Sequence, residues 1–384
     1  MKKIDPYTGF EQGPIRPPSE AESLLIRITR NCPWNRCTFC PVYKGSRFSL
    51  RPVEHVIKDI DLIRFYVQAI GEAQNTKGSM SQRELFSLSP DGEKGDRQAL
   101  YAAYNFVVSG MKSIFLQDGN SLIIKPDDII CILKYLQQSF PQVERVTSYA
   151  RSHTIARISD DNLKRMAEAG LNRIHIGMES GSDKVLAMVK KGSDKATQVL
   201  AGQKVKRAGI QLSEYYMPGL GGLRLFRESA IETADAMNQI NPDFIRLRTL
   251  ALPAGTPLTE QYEAGNFDKM GEVDVARELL LFIESLHGIS STVKSDHVLN
   301  LFQEVEGVLP RDKAKMTAPI ASFLKLSPKE QMIFCIGRRT HCLSRLDDLN
   351  NPLLRNHALQ ACADFGATVE NMDRVVDSII RRFI

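Results

Sequence analysis

The chain has 384 residues, 43% hydrophobic and 25% charged, a globular balance that excludes disordered, collagen-like and membrane-embedded classes. Its 50 basic and 45 acidic residues leave a formal charge of +5, too little for this size to indicate nucleic acid without a localised patch. The N-terminal stretch MKKIDPYTGFEQGPIRPP has no apolar run after its lysines, and no segment reaches the roughly 18 apolar residues of a membrane span, so neither a signal peptide nor a membrane partner is expected and the cytoplasm is the expected location.

From Ser23 onward, short β-rich runs alternate with segments of helical period, the pattern of βα units and a parallel sheet. Strands are predicted over 23–29, 113–117, 143–149, 172–178, 210–217 and 244–252. After Pro52, the residues Val53, Val56, Ile57, Ile60 and Ile63 recur at helical spacing, and proline suits a first helical turn because its missing N–H would be an orphan there. Pro126 opens a second helix that turns Ile129, Ile130, Leu133 and Leu136 to the sheet. Ser159 reads as an N-cap and Gly170 as a C-terminal stop around 160–169. The arrangement repeats over 194–208 and 228–239, with Gly209 equivalent to Gly170. The segment 71–96 is polar and turn-rich, too long for an ordinary connection, and reads as an insertion able to act as a mobile lid. From about Ser291 the βα rhythm gives way to helical pieces interrupted by Pro310, Pro319 and Pro328.

Seven cysteines in a chain of this kind do not suggest a disulfide framework, because reducing compartments keep thiols free. Cys32, Cys37 and Cys40 crowd into nine residues just after the first strand, whereas Cys131, Cys335, Cys342 and Cys362 are scattered. The local trio points to metal. Three thiolates can hold three irons of a [4Fe–4S] cluster and leave the fourth open, whereas structural clusters usually take four. The alternative is a tetrahedral zinc ion completed by His55 or Cys131. Packing cysteines fit less well, since Pro33, Asn35 and Arg36 describe an exposed loop.

A three-cysteine loop after the first strand of a βα series resembles the radical S-adenosylmethionine (SAM) enzymes, in which the free iron is chelated by the amino and carboxylate groups of SAM. The usual family spacing is Cys-x3-Cys-x2-Cys, and this chain has one more residue between Cys32 and Cys37, which a bulge absorbs. Phe39 matches the aromatic position that flanks the adenine. The run SIFLQDGNSL (113–122), followed by Pro126-Asp127-Asp128, looks like the second-strand motif of the coproporphyrinogen-dehydrogenase-like branch, whose glycines contact the SAM amino group. Here Gln117 and Asp118 replace two glycines and Gly119 remains, so the resemblance places the amino contact in the turn Asp118-Gly119-Asn120, through the Asp118 side chain or a backbone carbonyl.

The element GMESGSDKVL (177–186) is similar to the fourth-strand motif shared with the methylthiotransferase and elongator-type branch, which implies that Glu179 reaches the SAM ribose. A carboxylate at a strand end can accept from both ribose hydroxyls; the alternative is a charge at a helix N-terminus. Met217-Pro218-Gly219 resembles the fifth-strand motif, with Pro218 at the cofactor and Tyr216 where glycine is common, and the turn 252–258 resembles the sixth-strand turn near the adenine. Arg151, at the third strand end, would pair with the SAM carboxylate as guanidinium suits bidentate recognition, or is a surface residue.

The resemblance implies an α/β fold, a partial (β/α)6 TIM-like barrel over 23–290 carrying the insertion 71–96, with an N-terminal extension 1–22 and a mainly helical C-terminal extension 291–384. It implies a [4Fe–4S] cluster on Cys32, Cys37 and Cys40, SAM as cofactor, and a reductant such as flavodoxin or ferredoxin. SAM would be cleaved to methionine and a 5′-deoxyadenosyl radical that abstracts hydrogen from a small-molecule substrate; nucleic acid is not the expected substrate. Cys335, Cys342 and Cys362 with His341 are candidates for an auxiliary cluster, buried packing cysteines being the simpler reading. Ser295-Asp296-His297 reads as a helix cap ahead of the apolar run 298–302 or as a substrate contact. The competing functions are an RNA-modifying, methylthiotransferase-like radical SAM enzyme and a non-enzymatic iron–sulfur or zinc redox sensor.

Overall fold

Apolar strands form close to where the sequence pattern predicts them, and each is followed by a helix that covers it. The computed structural model describes residues 6–77, 81–89 and 94–382. The chain divides into two compact units, Met1–Asn35 with Val42–Ile176 and Lys204–Leu212, and Arg36–Pro41 with Gly177–Gln203 and Ser213–Ile384.

In the first unit, the strands Leu24–Arg27, Ser113–Gln117, Arg145–Ala150 and Leu171–Glu179 (as far as Ile176) lie side by side in chain order. They are parallel, with Leu24 opposite Ile114, Ile114 opposite Val146 and Ser148 opposite Ile174. All five residues of Ser113–Gln117 are buried, as expected of a parallel strand covered on both faces. Helix Val53–Lys77 turns Val56, Ile60, Ile63 and Ile70 into the core, and Pro126–Ser139 turns in Ile129, Leu133 and Leu136. The Ser159 hydroxyl accepts from the Asn162 N–H at 3.2 Å. Gly170 closes the following helix at φ +99°, where a Cβ would lie 2.4 Å from the Gln137 amide; only glycine fits. The N-terminal segment is tied down by the buried Gln117 side chain, which accepts from the Gly13 N–H at 2.8 Å and donates to the Ile15 carbonyl at 2.5 Å. Of the segment 71–96, residues 78–80 and 90–93 lie outside the described residues. The described parts are mostly helical, within Val53–Lys77, Gln82–Ser87 and the start of Lys94–Val108, where the sequence reads as turns.

In the second unit, Gln211–Tyr216 (from Ser213), Phe244–Leu247 and Thr292–Lys294 are parallel, and Gly307–Val308 returns antiparallel. The predicted strand 244–252 ends at Leu247, before Pro253 and Gly255 (φ +76°) force a turn, although the Arg248 and Leu250 N–H groups still donate to the Tyr216 and Pro218 carbonyls at 2.9 Å. Helices Gly222–Ile240 and Glu272–Ser285 cover this sheet, and Lys313–Lys325, Pro328–Arg339, Pro352–Asp364 and Met372–Ile380 complete the unit. Phe302, Phe323 and Phe334 pack with ring centroids 5.4–5.7 Å apart. The buried Arg339 guanidinium pairs with Glu272 at 2.5 Å and fastens helix Pro328–Arg339 to helix Glu272–Ser285. The chain is thus α/β, with mainly parallel strands in chain order. Among the described residues no helix is long and apolar enough to cross a membrane.

Candidate functional site

The cysteine loop has no regular secondary structure, and in the first unit its opening residues are held by side chains. Asn31 and Asn35 adopt φ of 67° and 45°, a region asparagine tolerates better than most residues. Their amides donate to the carbonyls of Arg47 at 2.5 Å and Tyr43 at 2.6 Å. Beneath them lies Asp118, wholly buried. Its Oδ2 accepts from Arg27 Nη2 at 2.9 Å, from Arg27 Nε at 3.2 Å and from the Asn31 N–H at 3.2 Å, and its Oδ1 from the Tyr43 hydroxyl. Arg27 also pairs with Glu11 at 3.1 Å. Gly13 leaves the room this requires, since a Cβ there would lie 2.7 Å from the Asp118 carboxylate. Gly119 packs on the Tyr43 ring, 3.1 Å from where its Cβ would be. Asn120 donates to Thr154 Oγ1 at 2.8 Å and accepts from the Arg151 N–H at 3.0 Å. The Arg151 guanidinium stands 5.0 Å from the Trp34 ring centroid, a cation–π contact. Asp118, Gly119, Asn120 and Arg151 therefore gather around the half-buried Cys32 end of the loop.

In the second unit the rest of the loop packs on apolar residues. Phe39 is buried with Val185, Val189, Leu252 and Leu258, and Cys37 and Cys40 lie partly buried against the same cluster. Backbone bonds fix it there: the Thr38 N–H donates to Val189 at 3.0 Å and the Leu258 N–H to Thr38 at 3.0 Å. The turn 252–258 and Phe39 are thus brought together. Glu179 ends its strand at φ 66° and pairs with Lys191 at 3.0 Å, both side chains 13% exposed. Gly177 makes space for it, since a Cβ there would come within 2.4 Å of the Glu179 carboxylate. Lys191 also stands 5.8 Å from the Phe39 ring centroid.

Glu214, one strand on, is fully buried, and neither carboxylate oxygen has a hydrogen-bond partner among the described residues. Burial pushes its pKa well above the usual carboxylate range; the Lys191 charge opposes this and the Glu179 charge adds to it. The turn at Pro218 rests on another buried acid. Glu278 accepts from the Gly219 N–H at 2.6 Å and from the Tyr216 hydroxyl at 2.7 Å, and burial outweighs these bonds to raise its pKa to about 7. Tyr216 is therefore a support for the turn.

Sequence reasoning assigned no role to Lys191, Glu214, Tyr43 or Arg27. A signal existed for Glu214: an acid between Leu212 and Tyr216 on one face of a predicted buried strand breaks the apolar pattern. Tyr43 and Arg27 carry no such mark.

The remaining candidates separate cleanly. Cys335 and Cys362 are buried in helices; burial pushes the Cys335 thiol well above its ordinary range and Cys362 up to about 11, which opposes the thiolate a metal needs. His55 packs edge-on to Tyr7 at 5.4 Å, and Cys131 is exposed. The run 298–302 is not helical, so Ser295 caps no helix. Its hydroxyl instead donates to the Phe302 carbonyl at 2.6 Å, while Asp296 pairs with Arg246. Among the described residues no three His, Cys, Asp or Glu side chains are gathered as a metal-holding group. What the loop offers is a donor set, three half-buried thiols within nine residues, the soft ligands that iron–sulfur clusters take.

Residues 90–231 match the family model of the radical SAM superfamily. The chain is 24% identical over 286 residues to the tRNA uridine(34) acetyltransferase of Methanocaldococcus infernus, covering 71% of this chain and 51% of that protein. It is 27% identical over 215 residues to the 4'-phospho-dehydrooxetanocin synthase of Priestia megaterium, covering 53% of this chain and 25% of that protein. The chain spans about half the length of the acetyltransferases it matches. Among solved structures, the M. infernus Elp3 with an N-terminal deletion aligns at a TM-score of 0.41 with 16% identity, over 51% of this chain and 52% of that one. The family-model match over residues 90–231, together with these relatives, supports membership of the radical SAM superfamily of enzymes.

Proposed function

We propose that Cys32, Cys37 and Cys40 ligate three irons of a [4Fe–4S] cluster and that the strand-end residues seat SAM beside it. The observation that carries this reading is the thiol trio in the loop that follows the first strand of a parallel βα series. When bound, the cluster supplies the electron for reductive cleavage of SAM, and the reductant is a small one-electron donor such as flavodoxin or ferredoxin. The chain's own groups hold and shield. Phe39 offers an apolar face for the adenine, Glu179 accepts from the ribose hydroxyls, Arg151 meets the SAM carboxylate, and the Pro218 turn borders the cofactor. Because the Asp118 carboxylate is occupied by Arg27, Asn31 and Tyr43, we assign the SAM amino contact to backbone carbonyls of the turn 118–120. The buried apolar cluster around Phe39 keeps water from the cofactor.

We read the substrate as a small molecule from the near-neutral charge of +5. A second reading, a tRNA substrate, is favoured by the similarity to the tRNA uridine(34) acetyltransferases.

Anaerobic reconstitution tests the central claim. The full chain is expected to bind about four iron and four sulfide and, with dithionite and SAM, to release 5′-deoxyadenosine. Cys37→Ala is expected to lose both. Zinc in place of iron, or a loaded cluster that leaves SAM intact, overturns the reading.

A further inference from the structure

Next to the cysteine loop, the Asp118 carboxylate accepts from Arg27, Asn31 and Tyr43. Its Oδ2 holds the Asn31 N–H, one residue before Cys32, while its Oδ1 holds the Tyr43 hydroxyl, three residues after Cys40. The Arg27 guanidinium completes the charge pair at 2.9 Å, with Asp118 wholly buried and Arg27 13% exposed. A buried carboxylate matched by a guanidinium and two further donors is satisfied, and removing it leaves Arg27 with one counter-charge fewer and two donors without an acceptor. The surroundings are cut to fit: Gly13 and Gly119 each leave room that a Cβ would fill, at 2.7 Å from Asp118 and 3.1 Å from Tyr43.

We propose that Asp118 is the positioning residue of the cysteine loop, tying the residue before Cys32 and the aromatic ring after Cys40 to one buried carboxylate so that the loop is shaped before iron arrives. Joining both flanks at one point removes conformational freedom that cluster assembly would otherwise have to overcome. Asparagine replaces it only in part, because its amide can still reach both flanks if its NH2 donates to the Tyr43 hydroxyl, but the negative charge that matches Arg27 and the second charged acceptor are lost. The inference rests on the cluster reading for its purpose, but its geometry is testable in the apo chain.

The test compares wild type, Asp118→Asn and Tyr43→Phe as full-length chains. Limited trypsin digestion of the apo proteins reads cleavage after Arg36 inside the loop against cleavage elsewhere. Anaerobic reconstitution then reads iron per chain. Asp118→Asn is expected to be cut at Arg36 about tenfold faster, as loss of a charge-assisted bond from a local opening equilibrium implies, with cleavage elsewhere unchanged and less than half the wild-type iron. Tyr43→Phe, which removes one hydroxyl, is expected to shift both in the same direction by a smaller factor and to lower the melting temperature less than Asp118→Asn does. If Asp118→Asn does not fold, Tyr43→Phe decides alone. Wild-type cleavage at Arg36 together with wild-type iron in the folded variants overturns the proposal. A wild-type chain that takes up no iron instead overturns the cluster reading, and the apo digestion still decides the role of Asp118.

Discussion

Glu214 shows how far a single residue can depart from its ordinary chemistry. Period-two alternation puts Leu212, Glu214 and Tyr216 on one strand face, and the packing around them leaves the Glu214 carboxyl dry and without a hydrogen-bond partner among the described residues. Burial raises its pKa, so the folded state holds a proton that the unfolded chain releases at ordinary carboxylate pH. The stability linked to this group is complete below about pH 4.5 and is lost as pH rises toward the folded pKa. Glu214→Gln cannot ionise, so its melting temperature is expected to fall less between pH 5 and pH 8 than that of wild type; parallel curves for the two proteins would remove the argument. At this scale the crowding of Cys32, Cys37 and Cys40 was legible because it is local in the sequence. The partners of Asp118 were not, because Arg27 and Tyr43 lie 91 and 75 residues away along the chain.

Elements were legible where their signals lie within a few residues. The N-cap at Ser159, the stop at Gly170 and the proline that opens helix Pro126–Ser139 all stand where propensity puts them. The predicted strand 244–252 stops short because Pro253 and Gly255 turn the chain, and the short strand Thr292–Lys294 was missed because three residues carry too little pattern. Docking of the N-terminal segment was also hidden. It depends on Gln117 and on Glu20, a buried acid that accepts from Ser23 at 2.6 Å and meets Arg145 at 3.2 Å and His175 at 3.3 Å. Burial alone would raise the Glu20 pKa, but the His175 and Ser23 hydrogen bonds and the Arg145 charge outweigh it and hold it at about 2. Its contribution is present above the unfolded pKa near 4.5 and is lost as pH falls toward 2. Glu20→Gln is therefore expected to cost roughly 3 kcal/mol at pH 7 and little near pH 2, read from urea midpoints across that range. A constant difference between the two proteins at every pH would refute the assignment.

For the whole molecule, the proposed small-molecule substrate and the alternative proposal of tRNA make different demands. A chain that binds tRNA through phosphate contacts loses affinity steeply with salt, by about 0.7 to 0.9 in log K per log salt for each phosphate engaged. With a formal charge of only +5, the reconstituted protein is expected to show no tRNA retardation at physiological salt. Binding that survives there, with a steep salt slope, would transfer the substrate assignment to tRNA. The sequence by itself determined the α/β class, most of the strands and helices, and the crowding of three cysteines after the first strand, because apolar period, caps and residue spacing are properties of neighbouring residues. Only the tertiary structure decided that the Asp118 carboxylate is spent on the loop's flanks, that Glu179 pairs with Lys191, and that Glu214 and Glu278 are buried acids. Those facts depend on which distant side chains share a dry interior, where a charge must find a partner or keep its proton.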